Sequence, residues 1–203
     1  HVTPWLDGGM SMSSITTGSL GGMPAATFGS VFSRTNAVLR TTSGLGAPVE
    51  GQTAPRSVLL AASSLVTEAG ELPLVSIGAT SNAGVSITTN AAGVSTKLGV
   101  AYGGSGYDMG VARSGSGLHV ILLTYDGTAE RFYLNGSAAP NSPHTPTPPQ
   151  GNISSNGSVF LGTRWALDQM VTSMRVHACA VWDTALSSTD ATNINTLIAA
   201  RFS

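Results

Sequence analysis

The stretch HVILLTYDGTAERFYLNG, residues His119–Gly136, decides the fold. It predicts two strands joined by a tight turn. Val120, Leu122 and Thr124 fall on one face of the first strand, and Ile121, Leu123 and Tyr125 on the other. Both faces are largely apolar, as a strand buried between two layers requires. Asp126-Gly127 supplies the turn, because glycine accepts positive φ and aspartate tolerates it. Ala129–Leu134 then returns antiparallel, and Asn135-Gly136 turns the chain again.

The bulk numbers fit this reading. At 203 residues the chain makes one domain, or one domain plus an arm. Hydrophobic residues make up 41% and charged residues only 9%, which is too apolar for a disordered chain. Serine, threonine, alanine, glycine and asparagine fill the difference, a composition shared with extracellular and virion surfaces. The formal net charge is −1 and Lys97 is the only lysine, so no basic stripe is present for a nucleic acid. Cys179 is the only cysteine, which excludes an intrachain disulfide and a thiolate metal site and makes it a small buried hydrophobe. No apolar run approaches the roughly 20 residues of a membrane helix.

Outward from the hairpin, punctuation recurs. Ser57–Val66 is an apolar run bounded by Pro55 and Gly70, read as a buried strand. Leu72–Ile77, Val85–Thr89, Val94–Val100 and Asp108–Ala112 are strand-like and separated by glycine- and asparagine-containing turns. Strands spaced every 8–12 residues by turns indicate a β-sandwich or barrel. Ser158–Gly162 and part of Met170–Trp182 add further strands. Gly18–Pro24 and Gly44–Pro55 have loop chemistry, and Pro140–Gln150 reads as an exposed, extended loop crossing an edge. Residues 1–30 are weakly patterned and read as an N-terminal arm or edge strand. Residues 31–203 form the sandwich domain. The period changes at the end: Leu186, Ile194, Leu197, Ile198 and Phe202 share a helical face, with Ser187 as N-cap and Asp190 completing a capping box.

The order Tyr125-Asp126-Gly127, Phe132-Tyr133-Leu134-Asn135-Gly136, Phe160-Leu161-Gly162, Trp182-Asp183 and Ala185-Leu186-Ser187 resembles the laminin-G-like domains of the concanavalin-A-like lectin/glucanase superfamily. The likeness spans about Leu118–Phe202. It implies an all-β jelly-roll sandwich of two antiparallel sheets with a short C-terminal helix. That fold serves lectins, hydrolases, adhesion modules and virion parts, so it does not assign an activity. Many relatives carry an acidic residue four or five positions before the aromatic that Trp182 matches. Here His177 and Ala178 stand there, against an acidic or calcium-linked role on that strand.

The chemistry is weighed residue by residue. Glycosidases on such a fold need two carboxylates about 5–5.5 Å apart when retaining. A strand would deliver them as alternating acids, and no such pattern occurs. A polysaccharide lyase would need His, Tyr and basic residues around a carboxylate. His119, His144 and His177 are not flanked in sequence by activating partners. No G-x-S-x-G, phosphate loop or zinc spacing is present. Calcium could bind through loop Asp side chains and carbonyls, but no run of ligands forms a dedicated site, so no cofactor is implied. Sugar binding needs an aromatic platform beside polar groups. The candidates are Arg164-Trp165 with Asp168, Tyr107-Asp108, and third Trp5 with Asp7. Each aromatic could instead seal an end of the sandwich.

The sequence therefore predicts a non-catalytic, lectin-like surface module. It would be displayed on a virion, such as a phage head or tail, or on a cell exterior, and would act by contact with glycans or partner proteins. It would insert in no membrane and could self-associate. Two alternatives stay open: a polysaccharide-cleaving enzyme on the same fold, and a structural decoration protein that binds no sugar and docks through residues 1–30.

Overall fold

A computed structural model describes residues 5–7, 15–20, 23–28, 39–41, 54–63, 65, 72–78, 84–89, 97–102, 105–112, 117–145, 158–163 and 174–202. They form fourteen strands and one helix: β1 (Trp5–Asp7), β2 (Ile15–Leu20), β3 (Met23–Phe28), β4 (Leu39–Thr41), β5 (Arg56–Ser63), β6 (Leu72–Gly78), β7 (Gly84–Thr89), β8 (Lys97–Tyr102), β9 (Ser105–Ala112), β10 (His119–Tyr125), β11 (Glu130–Leu134), β12 (Ser137–Ala138), β13 (Ser158–Leu161), β14 (Met174–Trp182) and α1 (Ser188–Phe202).

The strands make two seven-stranded sheets. The first runs β1-β4-β13-β6-β7-β8-β9 and the second β12-β11-β10-β5-β14-β3-β2. Pairing is antiparallel throughout both sheets. The jelly-roll sandwich expected from the sequence is thus present. The quoted hairpin lies in the second sheet, with Leu123 opposite Phe132 and Tyr125 opposite Glu130. On its other side β10 pairs with β5, Ile121 opposite Leu60 and Leu123 opposite Val58.

Alternation along these strands divides two cores. Val58, Leu60, Ile121, Leu123 and Phe132 of the second sheet meet Val75, Ile77, Ile87, Leu98 and Val100 of the first in the inter-sheet core. The other phase of the second sheet, Leu59, Ala61, Val120, Leu122 and Tyr133, packs under α1 against Ala191 and Ile198. β10 is buried on both faces because it lies between the first sheet and the helix.

The helix starts as its sequence predicts. Ser187 Oγ accepts from the Asp190 amide at 3.2 Å, and Asp190 Oδ2 accepts from the Ser187 amide at 2.8 Å. Ser57 ties it down: its Oγ donates to Thr184 O and accepts from Leu186 N. Gly136 lets the helix approach the hairpin, since at φ +80° a Cβ would lie 3.2 Å from Asn195 Cβ and 3.3 Å from Thr192 Cα.

Several expectations need correction. Leu197 is not on the buried helical face; it is 69% exposed, one residue and about 100° of rotation from Ile198. Ala191 takes its place in the contact. Gly18–Pro24 is not a loop, since β2 and β3 run to Leu20 and from Met23. Pro24 is tolerated because β14 pairs only with Ala26, Thr27 and Phe28, so β3 has no ladder to lose there on that side. The glycine-rich segment from Gly103 gives way to strand at Ser105, where β9 begins.

Candidate functional site

Of the sequence-predicted site residues, Trp165, Arg164 and Asp168 lie outside the described residues. Trp5 and Asp7 lie on β1, where the backbone places them at alternate positions opposite Thr41 and Leu39. Tyr107 and Asp108 lie on β9, the edge of the first sheet. As neighbours on one strand they face opposite ways. Tyr107 packs against the inter-sheet core. Asp108 points outward, 3.7 Å from Lys97, and its Oδ1 accepts from the Gly110 amide at 2.6 Å. They therefore cannot form one flat platform.

What the structure adds is a row across the second sheet. Arg56 on β5 lies opposite Tyr125 on β10, Tyr125 opposite Glu130 on β11, and Glu130 opposite His144. Residues opposite one another share a face, and this row is in phase with Val58, Leu123 and Phe132. It therefore faces into the sandwich at one end. Arg56 is 3% and Glu130 1% exposed. The Arg56 guanidinium donates to Ala54 O at 3.1 Å and lies 4.7 Å from the centre of the Tyr125 ring. Tyr125 Oη donates to Gly127 O at 2.8 Å.

Burial dominates the ionisation of this row. It pushes the Glu130 carboxyl up to about 8, with the nearby Arg56 charge opposing. It lowers Arg56, against the attraction of Glu130 and Tyr125. Glu130 Oε2 and His144 Nε2 are buried and accept or donate no hydrogen bond. Buried polar atoms without partners are uncommon and concentrate at sites that do something.

His144 arrives on residues 139–145, a strap that leaves β12 and laces the edges of both sheets together. Ala139 N donates to Phe132 O, and the Glu130 and His144 amides exchange bonds at 2.8 and 2.9 Å. Between those anchors Asn141 reaches the first sheet: its amide donates to Met109 O at 3.2 Å and its Nδ2 to Asp108 O at 2.8 Å. Gly110 permits this contact, because at φ +76° a Cβ there would lie 3.1 Å from Pro140 Cβ. The first part of the proline-dense segment is therefore not a free loop. It fastens the edge of the sandwich. At that edge the Tyr107 and His144 rings meet, centroids 4.4 Å apart and tilted 43°. Both residues are half-buried, and Asn141 beside them is exposed.

Sequence reading missed Glu130, Arg56, Asn141 and His144. Two of them carried a signal. Glu130 and Arg56 sit at inward positions of alternating strands whose other inward residues are apolar.

The other candidates resolve differently. His177 is the extra residue of a bulge in β14; it bonds Ser63 Oγ at 2.8 Å and lies against Phe202. Burial, then Arg175, lowers its pKa, so it is neutral at pH 7. Asp126 spends its oxygens on the Thr128 and Ala129 amides and on Arg131, which hold it down to about 2. Among the described residues no group of three or more His, Cys, Asp or Glu could hold a metal ion.

The fold has solved relatives. The chain is similar to domain 4 of AbnA, a GH43 extracellular arabinanase from Geobacillus stearothermophilus, solved in complex with arabinotriose. The TM-score is 0.65 at 18% identity, covering 89% of this chain and 81% of that one. It is similar to the binding domain of botulinum neurotoxin DC in complex with SialylT, with a TM-score of 0.67 at 12% identity. That match covers 91% of this chain but 45% of the toxin domain, so the chain spans less than half of it. It is also similar to the sialidase of Trypanosoma rangeli, with a TM-score of 0.55 at 12% identity over 84% of this chain and 29% of that one. At these identities the likeness is one of fold. Neither a protein-family model nor a curated protein sequence matches the chain.

Proposed function

We propose that this domain is a non-catalytic, lectin-like module that binds a glycan at the β9–strap edge. The observation that carries the reading is the half-buried Tyr107–His144 ring pair. Aromatic faces cover the apolar side of a sugar, while amide, carboxylate and ammonium groups take its hydroxyls. Asn141, Asp108 and Lys97 provide these along the same edge. Tyr107 serves as the ring, and Asp108 acts from the rim rather than from the same platform. We keep Arg164, Trp165 and Asp168, which lie outside the described residues, as a second candidate aromatic-and-charge set. The solved relatives support the class: an arabinanase domain bound to arabinotriose and a toxin binding domain bound to SialylT share this fold.

The non-catalytic reading rests on where the acids lie. The described acids are dispersed over β1, β9, the β10–β11 turn, β11, the residue after β14 and the first turn of α1. Glycoside cleavage requires two of them flanking one bond. A sialidase shares the fold, so the enzyme alternative is tested beside it. We place the domain within the laminin-G-like group on its C-terminal half. We place it outside the cell or on a virion on its low charge and abundant Ser, Thr and Gly; no described helix is long and apolar enough to cross a membrane.

The test is a glycan array with the purified domain, with and without calcium, including arabino-oligosaccharides and sialylated glycans. Binding that falls at least roughly tenfold in Tyr107→Ala, the weight of one good aromatic contact, is the expected result. Retained binding in Tyr107→Ala with loss in Trp165→Ala would move the site to that segment. A blank from folded protein would overturn glycan binding, and product released from any arrayed polysaccharide would overturn the non-catalytic reading.

A further inference from the structure

The strap and the buried carboxyl share a residue. Glu130 is the first residue of β11, and its own N–H and C=O make the two main-chain bonds that hold His144. Its side chain sits at a core position, with Oε2 buried and unbonded. Three groups share its row among the described residues: Arg56 from β5, Tyr125 from β10 and His144 from the strap. None is in ion-pair contact with it. The Arg56 guanidinium is already engaged with Ala54 O and the Tyr125 ring.

We infer that the Glu130 carboxyl is a protonation latch for the strap 139–145. Neutral, it stays inside, and the strap stays laced to β11 and β9. When its proton passes to solvent, the carboxylate leaves the interior and the Glu130–His144 pairing opens with it.

An ionised carboxylate inside an apolar layer needs water or a cation in direct contact. The Arg56 guanidinium is directed to Ala54 O and the Tyr125 ring, and burial already holds the proton on to about pH 8. Its strand begins beside the Asp126–Ala129 turn, where Asp126 and Thr128 are exposed. Turning that first residue outward breaks the two bonds to His144 while leaving Ala139 on Phe132 O, Ser142 Oγ on Phe132 N and Asn141 on Met109 O and Asp108 O, so the strap opens at its His144 end. The Tyr107–His144 ring pair then separates. The edge is closed at acid and neutral pH and opens as pH rises past 8. This holds whether or not the edge binds a sugar.

The experiment is amide hydrogen exchange by NMR on the whole chain between pH 6.5 and 9, corrected for the intrinsic pH dependence of exchange. In the wild type, protection of the Glu130 and His144 amides should fall by roughly tenfold or more, while amides of β10 and of mid-α1 keep theirs. In Glu130→Gln, which cannot ionise, protection should be flat with pH. Flat protection in the wild type overturns the latch, and so does a slope that survives in Glu130→Gln. Should that variant fail to fold, direct titration of the Glu130 carboxyl carbon in the wild type decides. A midpoint near 8 sustains the latch, and one near the ordinary glutamate value overturns it.

Discussion

The helix α1 and the strap 139–145 both close the second sheet, and they use different chemistry. The helix lies over Leu59, Ala61, Val120, Leu122 and Tyr133 and contributes Ala191 and Ile198. Its closure is mainly apolar, with His177 of β14 beside Phe202 at the end of the helix. The strap closes the lateral edge with main-chain hydrogen bonds anchored on Glu130, a buried carboxyl in a row with Arg56, Tyr125 and His144. A closure made by area is indifferent to pH and salt. A closure hung on a buried acid is conditional. The difference teaches where this molecule can yield without unfolding, and that place is the edge carrying Tyr107 and His144.

The largest effect that would break the comparison is a pH dependence of global stability. Glu130 is ionised above about 4.5 in the unfolded chain but keeps its proton to about 8 when folded. The unfolded state therefore binds fewer protons in that window. Stability is full below 4.5, falls as pH rises, and levels off above 8. The spread is roughly 4–5 kcal/mol as an upper bound, and less if the strap opens locally first. Urea unfolding of wild type and Glu130→Gln across pH 4–9 measures it; the variant should lose most of the slope. Next in size, Ile198→Ala should cost about 3 kcal/mol at every pH, because it leaves a cavity under the helix and touches no titratable group. A pH-dependent cost would mean the two closures are coupled. Smallest, Ser187→Ala should cost about 1 kcal/mol by removing the cap. That loss should leave amide protection in the strap unchanged.

Much of the frame was legible because it rests on local rules. Asp126-Gly127 and Asn135-Gly136 marked the hairpin, and both lie in turns with the expected positive φ at Gly127, Asn135 and Gly136. Ser187 and Asp190 marked the helix start for the same reason. Pairings across long stretches of chain were not legible: nothing in Ser57–Ser63 says that it separates β10 from β14. Leu197 was misassigned because two adjacent apolar residues, Leu197 and Ile198, compete for one helical face and only packing chooses between them. The polar row was half legible. Glu130 and Arg56 break the phase of their strands, which alternation reveals. That the two stand on either side of Tyr125 depends on register, which it does not. The lacing role of Asn141 was hidden in a segment whose prolines read as loop.

The sole cysteine has a practical consequence. Cys179 packs half-buried, not fully buried as its sequence context predicts, against the inter-sheet core from β14, and burial pushes its thiol up to about 12. At pH 8 only roughly one molecule in ten thousand then presents a thiolate, the form that reacts with disulfide and alkylating reagents. An unfolded chain, with its thiol at the ordinary value of 9.0, would present that form in about one molecule in ten. The rate at which a coloured thiol reagent consumes this single sulfur is thus a built-in clock for separation of the two sheets. It stays silent while only the edge breathes, and it gives one signal per molecule without any label being introduced.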